Sequence, residues 1–302
     1  MSRHVAVLMG GWSAEREVSL VSGRDVCRAL RDVGYQVTAV DVQRDVGSLL
    51  TRLYPKPDVV FNALHGRWGE DGCMQGLLDI LEIPYTHSGL LASALAMDKP
   101  MAKRVFAAEG IPVTEHQILE RGQFDAADVM PAPYVVKPLN EGSSVGVEIV
   151  HAGSNTTPLS GENWSYPTRQ IMVEKFIEGR ELTVAVMGDR PLTVTEIDTQ
   201  RAFYDYDAKY ADGGSQHEIP AKIPADAFDA AMDYALRAHN ALGCRGVSRA
   251  DFRYDGERVV ILEVNTQPGL TPTSLVPEQA AHHDISFQDL MVWMVENAEY
   301  GP

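Results

Sequence analysis

The sequence is short of positive charge. It carries 26 Lys and Arg against 42 Asp and Glu, a formal charge of −16 at pH 7, and its isoelectric point is near 4.9. Bulk electrostatics of this sign exclude a general nucleic-acid binder and a binder of anionic membranes. An anionic ligand can still be held where the few Lys and Arg converge. Cysteine is scarce too: Cys27, Cys73 and Cys244 are far apart, odd in number and in no CxxC pair. That excludes a disulfide scaffold or a thiolate zinc site and suits a reducing compartment. Long apolar runs are missing. The stretch MSRHVAVLMGGWSAERE offers only Val5 to Met9 before acidic residues arrive, which does not fit a signal peptide. No run approaches the roughly 20 apolar residues of a membrane span. The expectation is a cytoplasmic protein with neither nucleic acid nor membrane as partner. There is no internal repeat.

What is present is a chain of 302 residues, 45% of them hydrophobic, enough for two or three buried cores. The first hundred residues alternate strand and helix signals. HVAVLM, YQVTAVDV and PDVVFNAL read as strands. DVCRALRDVG spaces Val26, Ala29, Leu30 and Val33 as a helix does, with Gly34 where a C-terminal cap belongs, and DGCMQGLLDILEI is a second helix. This βαβ rhythm predicts a parallel sheet covered by helices. Ligands of such sheets bind beyond the C-terminal strand ends, and the polar clusters GGWSAERE and HGRWGEDG fall there. From Met97 the texture changes. MDKPMAKRVFAAEGIPV predicts a helix closed by Gly110 and Pro112, followed by strand-like PYVVKPL, VGVEIV, QIMVEKFI and ELTVAVMG. Between two of these runs, His151 to Gln170 is polar and broken by Pro158, Gly161 and Pro167, which predicts an irregular surface segment. From about Arg190 come more strands, a helix DAFDAAMDYALRAHNALG and a hairpin-like ADFRYDGERVVILEVN turning at Asp255-Gly256.

Four stretches carry chemistry. LNEGSSVG, Leu139 to Gly146, follows a strand ending in Lys137. Its small residues let backbone N–H groups cradle phosphate oxygens, although a plain surface turn has the same composition. VEKFIEGRELTV places Glu174 and Lys175 at one strand end and Glu181 at the start of the next. That suits the adenine–ribose half of a nucleotide, or simply a charged hairpin. FYDYDAKYADGG mixes aromatics with three Asp, as does a loop that closes over a site or an exposed Tyr-rich loop. The fourth is SRADF with ILEVN. Asp251 and Glu263 lie on two strands of one hairpin, and Asn265 is two positions beyond Glu263 on the same face. An all-oxygen cluster of this kind suits Mg²⁺ bridging phosphates. Arg249, which shares the face of Asp251, is the alternative neutralising group. Among nine His residues, only His65 stands at a strand end among Gly and Glu. A lone His is usually a hydrogen-bonded structural residue, and His239 on its helix reads as one. His282 and His283 lack a third ligand nearby, so zinc is not expected.

Taken in order, GGWSAEREVSL, ALHGRWGEDG, YTHSGLLASALAMDK, VVKPLNEGSSVGV, FYDYDAKY, SRADF and ILEVNTQPGLTPTSLVP closely resemble the D-alanine–D-alanine ligases of the ATP-grasp superfamily. The resemblance spans nearly the whole chain. It implies a three-domain α/β ATP-grasp ligase: an N-terminal parallel-sheet, substrate-binding domain at 1–97, a central ATP-grasp domain at 98–186 and a C-terminal catalytic domain at 187–302. It implies ATP between the last two domains, two Mg²⁺ or Mn²⁺ ions, D-alanine as substrate and a homodimer. The implied chemistry begins with attack of one D-alanine carboxylate on the ATP γ-phosphate. The resulting acyl phosphate is attacked by the amine of a second D-alanine, giving the dipeptide used in peptidoglycan.

Roles follow position by position from the resemblance. Glu15 is expected to hold the ammonium of the first D-alanine, and Ser143 to link Glu15 with Tyr210 of the closing loop. Lys99, Lys137 and Lys209 are expected at the ATP phosphates. Glu174, the backbone of Lys175 and Ile177, and Glu181 are expected at adenine and ribose, with Phe176 and Phe203 against the base. Asp251, Glu263 and Asn265 are the expected metal ligands. Arg249 and the Gly269 N–H are expected to form an oxyanion hole. Ser274 and Leu275 are expected to receive the second D-alanine's carboxylate, with His65 beside the substrate pocket. Two departures stand out: residues 151–170 lack the amphipathic helix usual in the family, and Leu270 stands where Met is frequent. The rivals are a D-alanine–D-lactate ligase, against which Lys209-Tyr210 speaks, another ATP-grasp carboxylate–amine ligase, and a non-catalytic nucleotide-binding module.

Overall fold

The computed structural model describes residues 3–120, 129–142, 146–153, 169–198 and 215–301. Ser143, Phe203, Lys209 and Tyr210 lie outside the described residues, as does most of the 151–170 segment. The chain opens with β1 (His4–Gly10), α1 (Arg16–Asp32), β2 (Gln36–Val42), α2 (Val46–Arg52) and β3 (Val59–Asn62). The three strands form a parallel sheet in the order β2-β1-β3. Val5 to Gly10 are all buried, as a central parallel strand covered on both faces must be. Helix α1 turns its Val18, Ser22, Val26 and Leu30 face inward and ends before Gly34, whose φ is 95°. Both polar clusters lie past the C-terminal ends of β1 and β3, as expected. Helix α2 has no counterpart in the sequence reading. Asp45 caps it by accepting from the Ser48 N–H, and Leu49 is its one buried side chain, so it leaves no apolar period to read.

Helices α3 (Cys73–Ile80), α4 (Leu90–Met97) and α5 (Lys99–Ala108) lead out of this region. Asp98 caps α5 through the Met101 N–H, with Pro100 in the first turn. A second sheet is antiparallel: β4 (His116–Glu120), β5 (Tyr134–Pro138), β6 (Glu148–Val150) and β7 (Gln170–Lys175), in the order β4-β7-β5-β6. A third contains β8 (Arg180–Met187), β9 (Arg190–Asp198), β10 (Gln216–Glu218), β11 (Val247–Tyr254) and β12 (Val259–Asn265), in the order β10-β9-β8-β11-β12. Strand β8 thus pairs with β9 and β11, so the two sheets join between Lys175 and Arg180.

Helix α6 (Ala225–Ala241) lays Ala227, Ala231, Ala235 and Ala238 on the third sheet against Leu182, Val184 and Phe252. Helices α7 (Leu275–His282) and α8 (Phe287–Glu296) close the chain. Leu290, Met291 and Met294 of α8 share one core with Val5, Val7 and Phe61 of the first sheet. Each such side chain contributes roughly 1.5–3 kcal/mol on burial, so the first and last parts of the chain are packed as one body. That shared core fixes the walls of the site.

Candidate active site

Two cavities meet in the cleft. The larger, about 390 Å³, has Glu15, His65, Glu70, Lys99, Arg249, Glu263, Asn265, Gly269, Ser274 and Leu275 in its walls. Glu15 is the N-cap position of α1 and is buried there. A Cβ at Gly66 would stand 2.7 Å from Glu15 Oε2, and one at Gly142 would stand 3.0 Å away. Both glycines are therefore close-approach positions, and Gly142 carries the chain up to Ser143. Ser13 ties the two polar clusters together by donating from Oγ to the His65 carbonyl at 2.7 Å. The His65 ring lies 3.4 Å from Ser22 Oγ. Burial pushes its pKa below the ordinary value, with Glu15 opposing. Ser274 begins α7, and its Oγ accepts from the Thr271 N–H at 3.0 Å. A Cβ at Gly269 would meet Ser274 Oγ at 3.3 Å.

The β11–β12 hairpin sets the floor. Asp251 is opposite Glu263 and Arg249 opposite Asn265. A bulge follows, since Phe252 pairs with Ile261 and Leu262 is the extra residue. Leu262 and Glu263, neighbours in sequence, consequently both line the smaller cavity. Arg249 grips Asp251 with two bonds, Nε to Oδ1 at 2.8 Å and Nη2 to Oδ2 at 2.7 Å, and Thr183 Oγ1 donates to Asp251 Oδ1 at 2.7 Å. Lys99 Nζ stands 3.2 Å from Glu263 Oε2 and donates to the Glu141 carbonyl at 2.6 Å. Arg249, one of the two neutralising groups the sequence offers Asp251, is in contact with it.

The smaller cavity, about 120 Å³, lies between the second and third sheets. Lys99, Lys137, Glu174, Lys175, Phe176, Ile177, Glu181, Asp251 and Glu263 line it, so it gathers every described residue expected at the nucleotide. Arg253 stands over the Phe176 ring at 5.6 Å and donates to the Ile177 carbonyl at 3.1 Å, the Gly179 carbonyl at 2.9 Å and Glu181 Oε2 at 3.2 Å. Gly179 has φ 119°, and a Cβ there would strike the Tyr254 carbonyl, so the segment joining the sheets lies hard against β11. Lys99, Glu141 and Glu263 border both cavities.

Two family models match the sequence. The one described as D-ala D-ala ligase C-terminus matches residues 105–296, and the one described as D-ala D-ala ligase N-terminus matches residues 46–88. D-alanine–D-alanine ligase of Rhodospirillum rubrum is 60% identical, covering 99% of each chain. That of Parvibaculum lavamentivorans is 57% identical, covering 98% of each. The chain belongs to the D-alanine–D-alanine ligase family. The crystal structure of D-alanine–D-alanine ligase from Bacillus anthracis complexed with ATP is similar at a TM-score of 0.85 and 30% identity, over 98% of this chain and 97% of that one. The α/β ATP-grasp fold expected from the motifs is the one present.

As a D-alanine–D-alanine ligase family member the chain is expected to use divalent metal, and the donor set fits. Asp251, Glu263 and Asn265 offer two carboxylates and an amide oxygen on adjacent strands, the hard donors such ions prefer. Asn265 Oδ1 already accepts from the Gln267 N–H at 3.0 Å and keeps a second lone pair. Among the described residues no group of three His, Cys, Asp or Glu is placed to hold a metal ion. Several site residues are absent from the sequence reading. Glu70 faces the same cavity as Glu15, and burial, then Glu15 itself, pushes its carboxyl well above the ordinary range. Asn62, Gln75 and Gln267 form a buried amide network behind that wall. Lys103 and Thr114 bond Glu174 from behind. The available signals were small: Glu70 in the quoted HGRWGEDG cluster, and Lys103 one helical turn after Lys99.

Proposed function

We propose that this protein joins two D-alanines into D-alanyl-D-alanine with ATP as co-substrate, releasing ADP and phosphate, for peptidoglycan synthesis. The observation that carries this is the wall shared by the two cavities. Lys99 and Glu263 border both, and in this reading they receive the phosphate end of a nucleotide seated in the smaller one. A carboxylate in the larger cavity is thereby within reach of a phosphoryl group.

In this reading Glu15 takes the ammonium of the first D-alanine, and Lys99, Lys137 and Lys209 draw charge from the phosphates. Attack by the substrate carboxylate oxygen forms the O–P bond of D-alanyl phosphate as ADP departs. The neutral amine of the second D-alanine then attacks the carbonyl, and phosphate leaves. Arg249 and the Gly269 N–H stabilise the tetrahedral oxyanion. The start of α7, at Ser274 and Leu275, takes the acceptor carboxylate where the helix N-terminus favours an anion. Phe176, Phe203, Glu174, Glu181 and the Lys175 and Ile177 backbone hold adenine and ribose. Ser143 and Tyr210 link the closing loop to Glu15. Two Mg²⁺ or Mn²⁺ ions, held by Asp251, Glu263 and Asn265, would supply charge neutralisation at the phosphates.

The three-domain division at 1–97, 98–186 and 187–302 and the cytoplasmic location belong to the same reading. Among the described residues no helix is long and apolar enough to cross a membrane. The homodimer also belongs to it, supported by the exposed Ile80, Leu90 and Leu91 on α3 and α4, helices that pack on each other. The test is phosphate release from ATP and Mg²⁺ with D-alanine, L-alanine, or D-alanine plus D-lactate, with products weighed by mass spectrometry. Dipeptide from the D-isomer alone is expected. ATP binding without turnover on D-alanine would overturn the substrate assignment, and D-alanyl-D-lactate as the main product would favour the depsipeptide rival.

A further inference from the structure

Lys103 has a side chain with 0% exposure, yet it carries an ammonium group. It follows Lys99 by one turn of α5 on the same helix face. Lys99 reaches both cavities, whereas Lys103 lines neither. Its Nζ donates to Thr114 Oγ1 at 2.7 Å and stands 3.1 Å from Glu174 Oε2. Thr114 passes the contact on, donating to the same carboxylate oxygen at 2.8 Å. The other oxygen, Oε1, is bonded to Lys137. One buried carboxylate therefore has two ammonium partners. They differ in place: Lys137 is in the cavity wall, and Lys103 is behind it.

The arrangement has an electrostatic consequence. Burial alone would push the Glu174 carboxyl up, but Lys103 and Lys137 outweigh it and hold it well below the usual carboxylate range. A polyphosphate entering the smaller cavity competes with Glu174 for Lys137. If Lys137 were the only counter-ion, drawing it away would leave a bare carboxylate in a dry wall, and ligand affinity would fall by that cost. With Lys103 in place, Glu174 stays neutralised after Lys137 turns. We propose that Lys103 is a positioning residue of the nucleotide site: the resident counter-ion of Glu174, which leaves Lys137 available to the phosphates. This rests on the reading of the smaller cavity as the nucleotide pocket.

The test compares ATP affinity by calorimetry, in the presence of Mg²⁺, with adenosine affinity by ligand-observed NMR, on the full chain. Lys103→Met is expected to weaken ATP roughly tenfold or more, with adenosine held within about threefold because it lacks the phosphates that draw on Lys137. Adding Glu174→Gln to Lys103→Met is expected to bring ATP affinity back to that of Glu174→Gln alone, since no carboxylate remains to be stranded. A merely structural lysine would lower ATP and adenosine together, and the second substitution would bring no recovery. Unchanged ATP affinity in Lys103→Met, or weaker ATP binding in the double variant than in Glu174→Gln alone, overturns the proposal. If Lys103→Met does not fold, the double variant decides against Glu174→Gln: equal ATP affinity supports the proposal, and a tenfold deficit overturns it. A wild-type chain that binds no ATP overturns both this and the pocket reading, and shows it before any variant is compared.

Discussion

Gln267→Leu tests whether the site is held from behind. The Gln267 amide is buried at 1% exposure between the HGRWGEDG segment and the Pro268-Gly269 turn. Its Nε2 donates to the Leu64 carbonyl, and its Oε1 accepts from Asn62 Nδ2 at 3.0 Å and Gln75 Nε2 at 3.4 Å. Leucine is close in volume and fills the space. Gln75 keeps its bond to the Gly69 carbonyl at 2.9 Å, and Asn62 keeps one there at 3.0 Å. The Leu64 carbonyl, one Asn62 amide hydrogen and, more weakly at 3.4 Å, one Gln75 amide hydrogen lose their Gln267 partner. Each buried orphan costs about 1–3 kcal/mol, partly offset by the apolar side chain, so the net loss is about 2–4 kcal/mol. At this chain length that is roughly 4–10 °C in Tm. The kinetic signature is more specific. Gln267 bonds the Leu64 carbonyl, next to His65, and stands two residues before Gly269, but it does not line the nucleotide cavity. The expected result is a kcat at least roughly tenfold lower, since small displacements at a catalytic centre are costly, with the KM for ATP within about twofold. The assay is steady-state phosphate release with ATP and D-alanine varied separately, beside a melting curve. Wild-type Tm, or a rise in the ATP KM as large as the fall in kcat, would refute the reasoning.

Two further outcomes follow from the same geometry. Glu263→Gln removes the carboxylate that faces Lys99 and borders both cavities, and turnover is expected to fall roughly a hundredfold or more at ordinary Mg²⁺; full activity there would sink the metal assignment. His87 is fully enclosed, and burial pushes its pKa from 6.5 down to about 3. A base with a depressed folded-state pKa contributes stability that is present above pH 6.5 and lost as pH falls toward 3. His87→Asn, which tolerates the φ of 72° found there, is therefore expected to flatten the fall of Tm between pH 6.5 and 4, with little change at pH 7.5; an unchanged slope would count against this. His239, pushed down to about 4 by burial, acts in the same direction, so some slope remains.

Much of the site could be read from the sequence because its signals are local. The alternation of strand and helix signals pointed to the first sheet, and ligand positions beyond its strand ends followed. Carboxylates on facing strands of one hairpin put Asp251 opposite Glu263, and the ordered motifs carried the family. Short elements escaped. Helices α2 and α4 are seven and eight residues long, too short to show a face. Strand β4, HQILE, is only five residues, intermediate to exposed throughout. The membership of β8 also escaped, because a strand's own pattern does not name its partners.

Tertiary structure decided the rest. The bulge at Leu262 turns two consecutive side chains to one cavity, which the period of two forbids in a regular strand. Gln267 meets Leu64, and Lys103 meets Glu174, across separations of 203 and 71 residues. The sequence by itself determined the family and named many, though not all, of the polar residues that line the two cavities. Which buried groups hold them in place was settled only by packing, because partners so distant in sequence are brought together by separate cores: the first sheet packs with Leu270 and α8, and α5 packs with the last hairpin.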